Sequence, residues 1–239
     1  LTLVLIWGVL LPGFLRGFPP ILLTAVIAII STVVTLVIVG GRSLKSIAAI
    51  TGTLGGVAVA GLLAFKLGNA AYLTGFGSEE AGMLLYIPQA ANLDIRGLLF
   101  SGIIIGALGA SMDMSMSVAS AVEEVIRVCP GLGFWRLFQS GMNVGRDVIG
   151  TMANTLILAY TGSSLQLILV FMAYQESLLK ILNLDMIASE VVRALSGSIG
   201  MIMVIPLTSI TAAILYSRTK KKDEAQDELE VGEAVNTLN

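Results

Sequence analysis

Apolar residues fill this chain in blocks of roughly twenty, and short stretches between the blocks hold most of the charge. A block of that length, rising about 1.5 Å per residue as a helix, matches the ~30 Å hydrocarbon core of a bilayer. Leu1 to Leu15 reads as the remainder of a first helix, with Pro12, Gly13 and Arg16 near its end. Further helices are predicted over Ile21 to Val39, Leu44 to Leu67, Gly97 to Val128, Val144 to Tyr160 and Ser196 to Tyr216. Leu165 to Leu182 is also apolar, but it carries Gln175, Glu176 and Lys180.

Inside the fourth block, LLFSGIIIGALGASMDMSMSVASAVEEV, polarity is confined to one side. Steps of three and four put Gly102, Gly106, Gly109, Asp113, Ser117, Ser120 and Glu124 on a single helical face. Ile103, Ile105, Leu108, Val118 and Val122 fill the rest of the circumference. Such a helix is expected to pack closely through its glycines and to turn its hydroxyls and carboxylates toward a neighbour or a water-filled path. A charged side chain at mid-bilayer costs ~2.5–3.5 kcal/mol on insertion scales unless it faces protein or water. Asp113 is therefore the leading functional candidate; the plainer account is a bond across to another helix.

The fifth block carries a second stripe, with Asn143, Asp147, Gly150, Thr151 and Asn154 on one face and Arg146 beside them. The two helices run in opposite directions, which predicts Asp113 level with Asn154 and Glu124 level with Arg146. A polar seam of Asp113, Ser117, Ser120, Glu124, Asn143, Arg146, Asp147 and Asn154 is the candidate proton or substrate pathway. Arg146 and Asp147 suit an interface anchor or a local ion pair equally well. Gly52, Gly56 and Ala60 repeat at four-residue spacing, a signal for close helix packing in lipid. Pro206 is expected to kink the last helix, with Thr208, Ser209 and Thr211 available to bond the freed carbonyls.

Composition sharpens the class. Charged residues make up 13% of the chain and apolar ones 56%, against about 25% charged in an ordinary soluble domain. The expected fold is an all-α polytopic membrane protein in the cell membrane. Histidine is absent, which removes imidazole relays, His-ligated metals and Ser–His or Cys–His catalysis. A lone Cys129 forms no internal disulfide and no Cys-rich metal site. Arg218, Lys220, Lys221 and Lys222 follow the last span, placing that end in the cytoplasm, and Arg42, Lys45, Arg127, Arg136 and Arg146 mark two further cytoplasmic connections. A crossing at Leu165 to Leu182 would put the basic end outside. That stretch is therefore expected to be a re-entrant or interfacial hairpin; the alternative is a seventh crossing against the charge rule. Residues 1–217 form the helical bundle in this reading, and 218–239 a basic-then-acidic cytoplasmic tail, expected to be disordered.

Three segments resemble the YibE/F family of bacterial integral membrane proteins: GALGASMDMSMSVASAVEEV, FQSGMNVGRDVIGTMANTLILAYTGSSL and EVVRALSGSIGMIMVIPLT. The resemblance extends to about Tyr216 and implies an extracytoplasmic domain ahead of the membrane core. More distantly, GALGASMDMSMSV, TMANTLILAYTG and VRALSGSIGMIMVIPLTSI follow the order of motifs in the membrane half of SecD-type and RND-superfamily proteins. That resemblance implies a six-span bundle in which Asp113 matches the acid of a proton path. Met152 stands where the second motif carries an acid, and Leu165 to Leu182 is additional. One half of such a bundle implies a homodimer or a second membrane subunit.

Other chemistries fit less well. Val144-Gly145-Arg146-Asp147 breaks the second motif of intramembrane aspartyl proteases, and Met112 replaces its Tyr. Met112, Met114 and Met116 suggest a soft copper site, but of these only Met112 and Met116 share a helical face. No G-x-x-x-x-G-K-[ST] loop is present to bind nucleotide phosphates, and basic charge is too sparse for nucleic acid. The expectation is a permease-like protein that is not an enzyme, needs no cofactor and moves an unidentified ion, small molecule or lipid. The competing class is a non-transporting assembly or regulatory subunit whose polar faces are structural.

Overall fold

The structure, a computed structural model, describes residues 2–77, 79–84, 86, 93–174, 177, 180–181 and 183–237, with side chains for all of these except 79, 167, 174 and 218–237. Every regular element among the described residues is a helix. Helix α1 (Thr2–Leu15) contains a π-helical turn over Ile6–Leu10. Gly17, at φ +82°, lets the chain reverse where a Cβ would be strained. Pro20 then opens α2 (Pro20–Gly40) at the position where a missing N–H is harmless. Ser43 caps α3 (Leu44–Ala70), accepting from the Ser46 N–H at 3.4 Å. After the short α4 (Glu79–Leu84), Asp94 caps α5 (Ile95–Val128) by accepting from the Gly97 N–H at 2.9 Å. Helices α6 (Phe134–Ser163), α7 (Leu165–Tyr174) and α8 (Asp185–Thr237) complete the chain.

Among the described residues four helices are long and apolar enough to cross a membrane: α2, α3, α5 and the Asp185–Ser217 portion of α8. The hydrophobic pattern predicts six. Helix α1 is apolar but short. Helix α6 has 30 residues, yet Asn143, Arg146, Asp147, Thr151 and Asn154 lower its hydropathy. Helix α7 rises only about 15 Å, half a hydrocarbon core. Gln175, Glu176, Leu178, Leu179 and Leu182 of the expected hairpin lie outside the described residues. Helix α8 starts well before the predicted Ser196, and its backbone stays helical to Thr237, where composition predicts a disordered tail.

Helix α5 occupies the centre, packed by α2, α3, α6 and α8. The closest pair is α3 with α8. A Cβ on Gly200 would lie 2.8 Å from the Gly56 carbonyl oxygen and 3.0 Å from Ala60 Cα, while one on Gly52 would collide with Thr208. The expected small-residue face of α3 thus meets Gly200, Val204 and Thr208. Thr208 is buried against this packing and Ser209 against Gly141 of α6; neither hydroxyl has a hydrogen bond, so neither is spent on a carbonyl freed by Pro206. Thr211 does bond a carbonyl, that of Leu207, at 2.8 Å.

Polar ties hold both ends of the bundle. At one end, Lys45 Nζ lies 2.8 Å from Glu123, and the Tyr216 hydroxyl donates to the same carboxylate at 3.2 Å, joining α3, α5 and α8. At the other, the Arg96 guanidinium donates to the Gly68 carbonyl at 3.2 Å and to Asn69, and lies over the Phe100 ring. The Thr74 hydroxyl donates to Asp185 at 2.6 Å, fixing the start of α8.

Candidate functional site

The polar stripe of α5 turns out of the protomer. Gly102, Gly106, Gly109, Asp113, Ser117 and Glu124 are exposed and Ser120 is half-buried, whereas Ile103, Leu108, Val118 and Val122 are buried. The glycines do not serve packing within the chain. A Cβ on Gly102 or Gly109 would meet nothing within 4 Å, and one on Gly106 only the Tyr160 hydroxyl at 3.8 Å. On α6, Asn143, Arg146, Asp147, Gly150, Thr151 and Asn154 are exposed as well. That helix docks through Gly141 and Gly145, which lie against Ser209 and Ile205 of α8. The residues of the expected seam therefore lie on outward faces of α5 and α6 and not along an internal path of the single chain.

Register decides which polar groups meet. Gly141 lies against Val122, and Met152 shares a groove with Asp113. In the antiparallel pair α5–α6 this sets Asp113 opposite Thr151–Met152 and Glu124 opposite Ser140. Glu124 pairs with Arg127 of its own helix, in place of Arg146. Among the described residues the Asp113 carboxylate has no hydrogen-bond partner, from Asn154 or elsewhere, and neither Arg146 nor Asp147 forms an ion pair. Ser117 turns its hydroxyl back to the Asp113 carbonyl at 2.8 Å, a local bond common for serine in helices.

The groove beside Asp113 has a volume of about 390 Å³ and is walled by Thr35, Leu36, Met112, Met116, Ser117 and Met152. Thr35 contributes a buried hydroxyl with no partner. One carboxylate, two hydroxyls and three thioethers converge there, on a surface that a single chain leaves uncovered. Met114 belongs to the opposite face, fully buried with Met201, Val204 and Ile205. Among the described residues no cluster of three His, Cys, Asp or Glu side chains could hold a metal ion.

A second polar constellation went unnoticed in the residue pattern. Arg193 Nη1 lies 3.0 Å from Glu190 Oε1 on α8, at the edge of a 600 Å³ groove shared with Tyr160 and α7. Glu190 Oε2, Arg193 Nε and the Ser196 hydroxyl are buried without partners. The signal for it was present, since EVVR stands just ahead of the last apolar block with opposite charges three residues apart.

Helices of this length and apolarity, with no other regular element described, define an all-helical membrane protein. Within that class the chain belongs to the YibE/F-like protein family, whose model matches residues 1–218. No curated protein and no solved structure matches it.

Proposed function

We propose that this chain is the membrane core of a proton-coupled permease that works as a pair of copies. Each copy is an RND- and SecD-like six-span bundle: α1 and α6 add crossings to the four apolar helices, and α7 lies at the interface or re-enters. The C-terminus is cytoplasmic. The observation that carries this reading is Asp113, an acid without a hydrogen-bond partner among the described residues, facing out of a membrane helix beside glycines with open space above them. Left against lipid, that group costs ~2.5–3.5 kcal/mol. A second copy removes the cost. A two-fold interface is self-complementary by geometry, and this face carries both signs of charge, Arg146 against Asp113 and Asp147.

Two outward stripes closed against each other enclose the polar groups and convert the groove into an internal path lined by Asp113, Ser117, Ser120, Glu124, Asn143, Arg146, Asp147 and Asn154. Protonated, Asp113 donates a hydrogen bond; as a carboxylate it only accepts. One proton therefore changes its preferred neighbour and gives two states that a gradient biases. The same exposed glycines also support a second reading, an assembly subunit that docks helices tightly and transports nothing.

Asp113→Asn tests the choice, because it keeps hydrogen-bonding shape and removes the titrating charge. In liposomes carrying a pH gradient, the variant is expected to lose proton flux while keeping its thermal stability and its particle mass. Unchanged flux across pH, or a strictly monomeric active particle, refutes the proposal. A stable pair without flux even for the unaltered chain selects the assembly reading.

A further inference from the structure

The groove between α6, α7 and α8 is built for an amphiphile. Its wall is apolar where Ile168, Phe171, Met172, Ile187, Val191 and Ala194 face it, and polar at Tyr160, Thr161, Ser164 and Glu190. The polar end is unusual in its bonding. Glu190 and Arg193 make one contact with each other, between Oε1 and Nη1. That leaves an acceptor, Glu190 Oε2, and a donor, Arg193 Nε, both shut away from solvent and both without a partner. The side chains are not sealed, however: 28% of Glu190 and 34% of Arg193 remains open. Glu190 lines the groove and Arg193 lies beside it at the groove's edge, so an occupant meets the open parts of both side chains.

Depth says which kind of occupant. Arg193 precedes Tyr216 along α8 by roughly 35 Å at 1.5 Å per residue, about one hydrocarbon core. Tyr216 sits where Lys45 and Glu123 gather at one end of the bundle. Glu190 and Arg193 therefore lie at headgroup level of the opposite leaflet, with the apolar wall alongside them.

A ligand that pairs with both side chains must offer a donor cation for Glu190 and an acceptor anion for Arg193 a few ångströms apart on one molecule. A glycerol headgroup supplies the anion and hydroxyls but no cation. A choline headgroup supplies no N–H. We propose that this groove binds an aminophospholipid, with its primary ammonium on Glu190, its phosphate on Arg193 and one acyl chain along α7.

The test uses the full chain purified into mild detergent and mixed with phosphatidylethanolamine, phosphatidylcholine or phosphatidylglycerol, with retained lipid read by native mass spectrometry. Phosphatidylethanolamine is expected to be retained over the other two by about ten-fold or more, the factor that one charge-assisted hydrogen bond supplies. Glu190→Gln should erase its advantage over phosphatidylcholine, and Arg193→Gln should weaken every phosphate lipid. Val191→Trp, at an exposed position that tolerates bulk, should block the acyl chain without touching the pair, and it decides the matter if either charge variant fails to fold. Soluble phosphoethanolamine at equal concentration should not displace the lipid; displacement would place all recognition in the headgroup and overturn the chain-binding half. Equal retention of the three lipids, or undiminished phosphatidylethanolamine binding in Val191→Trp, overturns the proposal.

Discussion

Gly200→Ala probes the closest approach in the molecule. The added methyl would lie 2.5 Å from Ala60 Cβ, 2.8 Å from the Gly56 carbonyl oxygen and 3.0 Å from Ala60 Cα. Two of those neighbours are backbone, which no rotamer change moves aside. Ordinary carbon contacts lie at ~3.5–4.0 Å, so α3 and α8 must part by about 1 Å. Overpacking of that kind costs ~1–3 kcal/mol. The upper half of the range is expected, because parting the helices also loosens Gly52 on Thr208 and Gly55 on Leu207. Against it stands the better helix propensity of alanine, worth ~0.5–1 kcal/mol. The net expectation is a loss of about 1–2 kcal/mol.

Gly109→Ala is the matched control, since its methyl meets nothing within 4 Å, and it should be neutral or mildly stabilising. Equilibrium unfolding in mixed detergent, followed by the fluorescence of Trp7 and Trp135, measures both variants. Equal stability of Gly200→Ala and the unaltered chain would refute the packing described for α3 and α8. An equal loss for Gly109→Ala, where neither a clash nor helix propensity predicts one, would show that the contact with α3 does not set the cost at Gly200.

Four further substitutions follow from the same geometry. Thr53→Val removes the 2.7 Å hydroxyl bond to Ser115 and should cost ~0.5–1.5 kcal/mol in the same unfolding assay; Ser115 keeps its bond to the Met112 carbonyl. Glu123→Gln leaves Lys45 unpaired in a half-buried setting and should cost ~1–3 kcal/mol, whereas Glu124→Ala, which breaks only an exposed pair with Arg127, should stay within ~0.5 kcal/mol. Gly109→Leu should leave the single chain as stable as before yet split the proposed pair, read as a halved particle mass in nanodiscs; a retained pair would place the interface elsewhere.

The helices were legible because length and hydropathy are set by the bilayer. The face that each helix buries was harder to read. In water, burial sorts bulky apolar side chains inward. In lipid both sides of a helix are apolar, so Ile103, Leu108, Val118 and Val122 satisfy either environment and no hydrophobic force chooses between them. Periodicity revealed the α5 stripe without saying which way it points. The repeat of Gly52, Gly56 and Ala60 looked the same as that of Gly102, Gly106 and Gly109. Only the first packs tightly on another helix within the chain, because α8 offers Gly200 and Thr208 at matching heights, and a partner's spacing cannot be read from one helix alone.

The two candidate sites differ in visibility for an electrostatic reason. Asp113 stands alone among apolar residues, so its desolvation cost is unopposed and any hydropathy scan exposes it. Glu190 and Arg193 cancel each other three residues apart, at the edge of an apolar block where charges are ordinarily solvated. What makes them notable is geometric: the pair satisfies one bond and strands two atoms, and sequence spacing fixes proximity without fixing how many valences are used. The methionines make the same point in reverse. Met112, Met114 and Met116 suggest a cluster by adjacency, but the turn of the helix gives Met114 to the core and leaves the other two beside Asp113, where Met152, far along the chain, completes the groove. Spacing along one helix therefore identified the acid, and only the register between α5 and α6 could supply its neighbours.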